Sequence, residues 1–131
     1  MALQYSTAVR DAKNDSIETT IGTAPTLTIL TGAPPANCAA ADTGTVLATI
    51  VLPSDWMAAS SGGTKAKLGT WQDTSADNSG TAGYFRIKQG ATCHVQGTVG
   101  TSGADMIVDS VNFTATQSFT INTFSITSGN A

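Results

Sequence analysis

The stretch Gly97–Thr127, GTVGTSGADMIVDSVNFTATQSFTINTFSIT, decides the fold class. Two runs rich in Val, Ile, Phe and Thr flank a short polar segment, Thr114-Ala115-Thr116-Gln117. β-branched and aromatic side chains suit a pleated, half-buried surface, so the pattern predicts two strands joined as one hairpin. Alternation sets Met106, Val108 and Ser110 on one face of the first run, and Phe119 and Ile121 on one face of the second. Phe124 and Ile126 fall on the opposite parity, and a bulge near Asn122-Thr123 would bring all four to one side.

The same punctuated pattern continues upstream. Thr26–Thr31 (TLTILT) reads as a strand that stops at Gly32-Ala33-Pro34-Pro35, where consecutive prolines remove ladder donors. A loop of small residues then runs through Cys38 to the turn signal Asp42-Thr43-Gly44. Thr45–Leu52 (TVLATIVL) is the most apolar run and reads as a central strand, ended by Pro53. Pro53–Met57 reads as a helical turn or edge segment with Trp56 and Met57 tucked under the loop. Lys67–Trp71 suggests a strand carrying Leu68. Gln72–Gly83 shows no apolar periodicity and reads as a long exposed loop without core residues. Tyr84–Lys88 and Thr92–Val99 form a hairpin about Gln89-Gly90-Ala91. About seven or eight strands at this spacing predict a mainly β fold, sandwich-like or jelly-roll-like.

Residues 2–21 read as an α-helix before these strands. Met1, Tyr5, Ala8, Val9 and Ala12 share one side of a helical wheel, with Asp11, Asn14, Asp15 and Glu18 opposite. Gly22 is a C-terminal stop and Pro25 lies beyond it. So thin an apolar stripe needs a surface to lie on, either the β domain or a neighbouring subunit. The expected organisation is a helix or arm over 1–22 and a single β domain over 23–131.

Composition narrows the partners. Charged residues make up 11% of the 131 residues, against about 25% in ordinary soluble domains. Such a deficit fits a surface that meets other proteins, although Thr-rich exposed strands would also produce it. A net charge of −3 and six dispersed basic residues argue against nucleic acid, which calls for a clustered basic face. No run approaches the ~20 apolar residues of a membrane helix. The N-terminus lacks the basic start and apolar core of a signal peptide. The chain is therefore expected to stay where it is made unless it leaves inside a larger particle.

Chemistry-bearing residues are sparse. Cys38 and Cys93 lie 55 positions apart, and without an export signal they read as reduced, buried thiols rather than a bridge. Cys93 and His94 are neighbours on a strand and point to opposite faces, which separates a nucleophile from its base. Asp73, Asp77 and Asn78 loosely resemble a calcium loop but lack its ligand alternation and closing Glu. Gly100-Thr101-Ser102-Gly103 lacks the Lys and the helix of a phosphate loop and reads as a turn. Asp105 and Asp109 read as strand-end polar groups. The expectation is a non-enzymatic protein with no catalytic, cofactor-binding or metal-binding residues.

Gly32 to Pro35, Thr43 to Thr45, Gly100 to Asp105 and Thr123 to Thr127 together resemble elements of small virion structural proteins of tailed bacteriophages and prophages. In that group a Gly-x-Pro-Pro turn, a Thr-Gly-Thr before an apolar strand, a Gly-Thr-Ser-Gly-Ala-Asp turn and a closing Thr-Phe-x-Ile-Thr recur in this order. The resemblance spans most of the chain, but it rests on turn and strand residues. It implies a virion component: a capsid decoration (cement) protein, or a neck, tail or fibre-associated protein. The implied partners are the major capsid protein or other virion proteins, in a homo-oligomer that could be a trimer. Leu3, Tyr5 and Val9 on the helix, Pro34 and Pro35 in the loop, and Trp56 are the expected partner-binding residues. A carbohydrate-binding module, stacking sugars on Trp56, Trp71 and Tyr84, is the lesser alternative.

Overall fold

The computed structural model describes residues 3–131, so the place of Met1 on the helical wheel lies outside the described residues. The fold is mainly β with one N-terminal helix, as the sequence predicts. Helix α1 (Thr7–Ile21) is followed by ten strands: β1 (Thr26–Thr31), β2 (Val46–Val51), β3 (Thr64–Ala66), β4 (Trp71–Asp73), β5 (Gly80–Gln89), β6 (Thr92–Gly100), β7 (Met106–Ile107), β8 (Asn112–Phe113), β9 (Phe119–Ile121) and β10 (Ser125–Thr127). Several of these strands are only two or three residues long, which is why the described residues hold ten where the sequence suggests seven or eight.

The main sheet has the order β2-β1-β5-β6-β7, antiparallel except for the parallel β6–β7 pair, and β8 adds to the start of β5. Two short ribbons, β10–β3 and β4–β9, close over its inner face. Leu27, Ile29, Phe85 and Ile87 line that face and meet Trp56, Trp71, Ile121 and Phe124 in one core. Phe124 joins the layers, with its ring 5.5 Å from Phe85 and 5.7 Å from Trp71. Full burial of each large apolar side chain stabilises this core by about 1.5–3 kcal/mol.

The Gly97–Thr127 stretch is strand-rich but does not form one hairpin. Its turn is present, with Gln117 N–H donating to Thr114 C=O at 3.0 Å and Thr116 at φ 73°. Ala76 inserts beside it, donating to Gln117 C=O and accepting from Thr116 N–H, both at 2.8 Å. With its turn bonded to Ala76, the flanking residues pair elsewhere: β7 with β6, β8 with β5, β9 with β4, and β10 with β3.

Three other expectations change. β2 sits at the edge of the main sheet rather than its centre. Its apolar character reflects Leu47, Ala48 and Ile50, which are buried in the core, while Val51 is exposed. The Gln72–Gly83 stretch is not a free loop, because it contains part of β4, the start of β5 and the buried Ala76 and Ala82. Asp73 Oδ2 accepts from Thr49 N–H at 2.9 Å, Asp77 N–H donates to Leu47 C=O at 2.8 Å, and Asn78 donates to Val46 C=O at 2.8 Å. These bonds cap an edge that would otherwise offer itself to another strand. Leu68 is exposed between β3 and β4 rather than carried on a strand.

The helix starts at Thr7 rather than at residue 2, because Ser6 caps it there, so Leu3 and Tyr5 precede the helix instead of lying on it. Pro53–Met57 is an edge segment rather than a helical turn, with Met57 bridging Lys67. Other local readings agree. β1 has the predicted bounds, Pro53 follows β2, and β5–β6 turn at Gly90-Ala91. Ser6 caps α1 by accepting from Val9 N–H, and Gly22 at φ 95° donates to Glu18 C=O to end it.

Candidate interaction surface

Two elements are strapped onto the β framework, and each is held by one buried cation. The first is α1. It turns its polar side inward, opposite to the orientation its apolar stripe suggests: Asn14 and Ile21 are its buried residues, while Ala8, Val9 and Ala12 are exposed. The reason lies in the segment from Ser60 to Lys65, which presents donors and a cation to the helix. Asp11 Oδ1 accepts from Gly63 N–H at 2.8 Å and from Ser60 Oγ–H at 2.7 Å. Asp15 Oδ1 accepts from Ser60 N–H at 2.9 Å. Asn14 donates to Gly63 C=O at 2.8 Å. Lys65, only 1% exposed, places its ammonium 2.8 Å from both Asp15 and Glu18.

Burial alone would push Lys65 down, but hydrogen bonds to Asp15 and Glu18 outweigh it and hold the ammonium above its ordinary value. The Lys65 hydrogen bond, followed by that from Ser60 N–H, holds Asp15 below the usual carboxylate range.

The second strapped element is the 32–44 loop, which lies on the outer face of the main sheet. Tyr84, Arg86 and Lys88 alternate onto that face of β5. Arg86 is 2% exposed and uses its whole fork. Its Nη1 donates to Ala40 C=O at 2.8 Å and Asp42 Oδ1 at 2.9 Å, and its Nη2 donates to Asn37 C=O at 3.1 Å. Its Nε and Nη2 also donate to Gln96 Oε1. Gln96 in turn donates to Pro35 C=O at 2.8 Å, and Tyr84 Oη–H donates to Thr43 C=O at 2.6 Å. Lys88 reaches Asp42 Oδ2 at 2.6 Å, and this bond, with the Arg86 charge behind it, holds Asp42 below its ordinary value.

The expected partner-binding residues fall into three groups. Leu3, in the segment before the helix, is 68% exposed, and Val9 in its first turn is 43% exposed; Tyr5, also ahead of the helix, is half-buried with the Lys13 ammonium 4.5 Å from its ring centre. Pro34 and Pro35 are half-buried in the strapped loop. Trp56 has no surface to offer. It is wholly buried, 6.2 Å from Trp71, and its indole N–H donates to Gly22 C=O. Trp71 and Tyr84 are equally buried, so none of the three aromatics is available to stack on a sugar.

Lys65 and Arg86, which position both surface elements, are not singled out by the sequence reading. The available signal was the Asp11, Asn14, Asp15, Glu18 stripe, whose i, i+3, i+4, i+7 spacing defines a helical face as well as an apolar stripe would.

His94 is exposed and borders a shallow groove with Ser16, Ile17 and Thr20, whereas Cys93 lies toward the 32–44 loop. Among the described residues, no group of three or more His, Cys, Asp or Glu could hold a metal ion, and no helix is long and apolar enough to cross a membrane. Comparison with family models, with curated proteins and with solved structures finds no match for the chain.

Proposed function

We propose that the chain is a bacteriophage virion structural protein that decorates and stabilises the head shell by docking on the major capsid protein. The carrying observation is the orientation of α1. Its polar stripe is consumed by Lys65, Ser60 and Gly63, which leaves Ala8, Val9 and Ala12 directed away from the domain, with Leu3 exposed just ahead of the helix. A helix fixed by its charged face presents its small apolar face ready-made, and such a face gains stability by burial against a neighbour. The 11% charged content and the resemblance of the turns at Gly32–Pro35 and Gly100–Asp105 to phage virion proteins support the same reading.

The test is the copy number of the chain relative to the major capsid protein in purified particles, measured by quantitative mass spectrometry. Copies on the scale of the capsomers support head decoration. A few copies per particle would move the protein to the neck, tail or fibres. Absence from particles would refute a virion role.

A further inference from the structure

The two cysteines read from sequence as independent buried thiols meet across the strap. Cys38 lies between Asn37 and Ala40, whose carbonyls are both held by Arg86. Cys93 is in register with Lys88, on the face where Lys88 and Arg86 hold Asp42. Both cysteines are unbridged and half-buried, and they are neighbours on the outer face, where Cys93 Sγ–H donates to Val95 C=O at 3.6 Å. We propose that Cys38 and Cys93 are an intramolecular cross-linking site, closed by a low-molecular-weight disulfide to staple the 32–44 loop onto the main sheet.

The chemistry balances as two exchanges. The Cys38 thiolate attacks one sulfur of the reagent disulfide and expels the other as a thiolate, leaving a mixed disulfide on Cys38. Cys93 then loses its proton, and its thiolate attacks Cys38 Sγ and expels the second half of the reagent. The two protein thiols lose two electrons, the reagent gains them, and the two thiol protons end on the two released reagent thiols. The pH dependence of closure follows from the surroundings of Cys93. Burial, then the neighbouring Cys38 thiol, pushes Cys93 up to about 11, against the smaller opposing pull of Arg86 and Lys88. Closure needs the Cys93 thiolate, so it should accelerate as pH rises toward that value.

The bridge would tie together residues 55 positions apart, a long loop whose closure strongly restricts the unfolded chain. It does not depend on the particle role proposed above.

The experiment treats the reduced full-length chain with glutathione disulfide at neutral and at alkaline pH, followed by tryptic mapping without reduction. Trypsin leaves Cys38 in the 14–65 peptide and Cys93 in the 89–131 peptide. The expected result is a cross-linked pair of these peptides, formed faster at alkaline pH. The thermal midpoint should rise by about 5 °C or more and fall again on reduction. In Cys93→Ser the same treatment should stop at a persistent glutathione adduct on Cys38. Adducts on both cysteines without a bridge, unreacted thiols at alkaline pH, or bridges only between molecules would each overturn the proposal.

Discussion

The ammonium of Lys65 lies 2.8 Å from Asp15 Oδ1 and equally close to Glu18, so a cation on β3 fixes the rotational setting of a helix 50 positions earlier in the chain. That setting decides which side of α1 faces outward, and with it the surface available to a partner.

Lys65→Met keeps the length of the side chain and removes its charge. Asp15 and Glu18 then lose their shared donor, although both keep access to water. The expected cost is about 1–3 kcal/mol, below the full penalty for breaking a deeply buried pair because both carboxylates can rehydrate. Urea unfolding measures it. A change under ~0.5 kcal/mol would show that the seam is held by Asp11, Asn14 and the Asp15–Ser60 bond without help from the ammonium.

Stability should fall at both ends of the pH scale. Asp15 and Asp42 are held below the ordinary 3.8, so their contribution is present above that pH and is lost as pH drops through their folded values. Lys65 is held above the ordinary 10.5, so its contribution is present below that pH and is lost as pH climbs through its folded value. Urea midpoints measured across pH should show a plateau between, and Lys65→Met should shrink the alkaline fall to the part left by Cys93, whose thiol is pushed up to about 11 and so also disfavours the fold as the unfolded chain ionises. A variant with the same alkaline loss as the parent would assign that loss to other groups.

Arg86→Lys retains the charge but cannot hold Gln96, Asn37, Ala40 and Asp42 together, because one ammonium cannot reproduce a planar fork. The expected loss is about 2–4 kcal/mol. Hydrogen exchange should show faster opening confined to the 36–45 segment, where Tyr84 and Gln96 would hold the loop without its central clamp. Uniformly faster exchange across the sheet would mean that Arg86 supports the framework rather than the strap.

Gly83 meets the backbone of Gly32 where the β1–β5 register shifts, and a Cβ built there would fall 1.9 Å from Gly32 oxygen. Backbone cannot swing aside as a flexible side chain can. Gly83→Ala should therefore cost about 2–4 kcal/mol, whereas Gly90→Ala, with open space around it, should cost less. Thermal melts of the two variants make the comparison, and equal losses would contradict the close approach.

Val9→Glu with Ala12→Glu alters the outward face without touching the Lys65 seam. The thermal midpoint should stay near the parent's, while affinity for particles lacking the protein falls about tenfold or more. Undiminished binding would remove the helix from the interface.

Local signals were legible because they act over a few residues. Gly22 ends α1, Pro53 follows β2, and β5–β6 turn at Gly90-Ala91; each depends on φ preferences or on a donor close in sequence. The Ser6 cap, which starts the helix at Thr7, was not legible, because the apolar stripe continues back through Tyr5. Thr-, Val- and Ile-rich runs likewise marked where β structure lies. The choice of partners was not legible, because Phe119 and Ile121 satisfy a pleated face equally well against any apolar neighbour. In the folded chain Ala76 bonds at the Thr116-Gln117 turn while β9 pairs with β4 and β10 with β3, partners that lie far off in sequence. The facing of α1 was hidden for a related reason. Ala8, Val9 and Ala12 bury too little apolar area to outweigh a lysine that needs two carboxylates, and that lysine stands beside the helix only once the chain has folded.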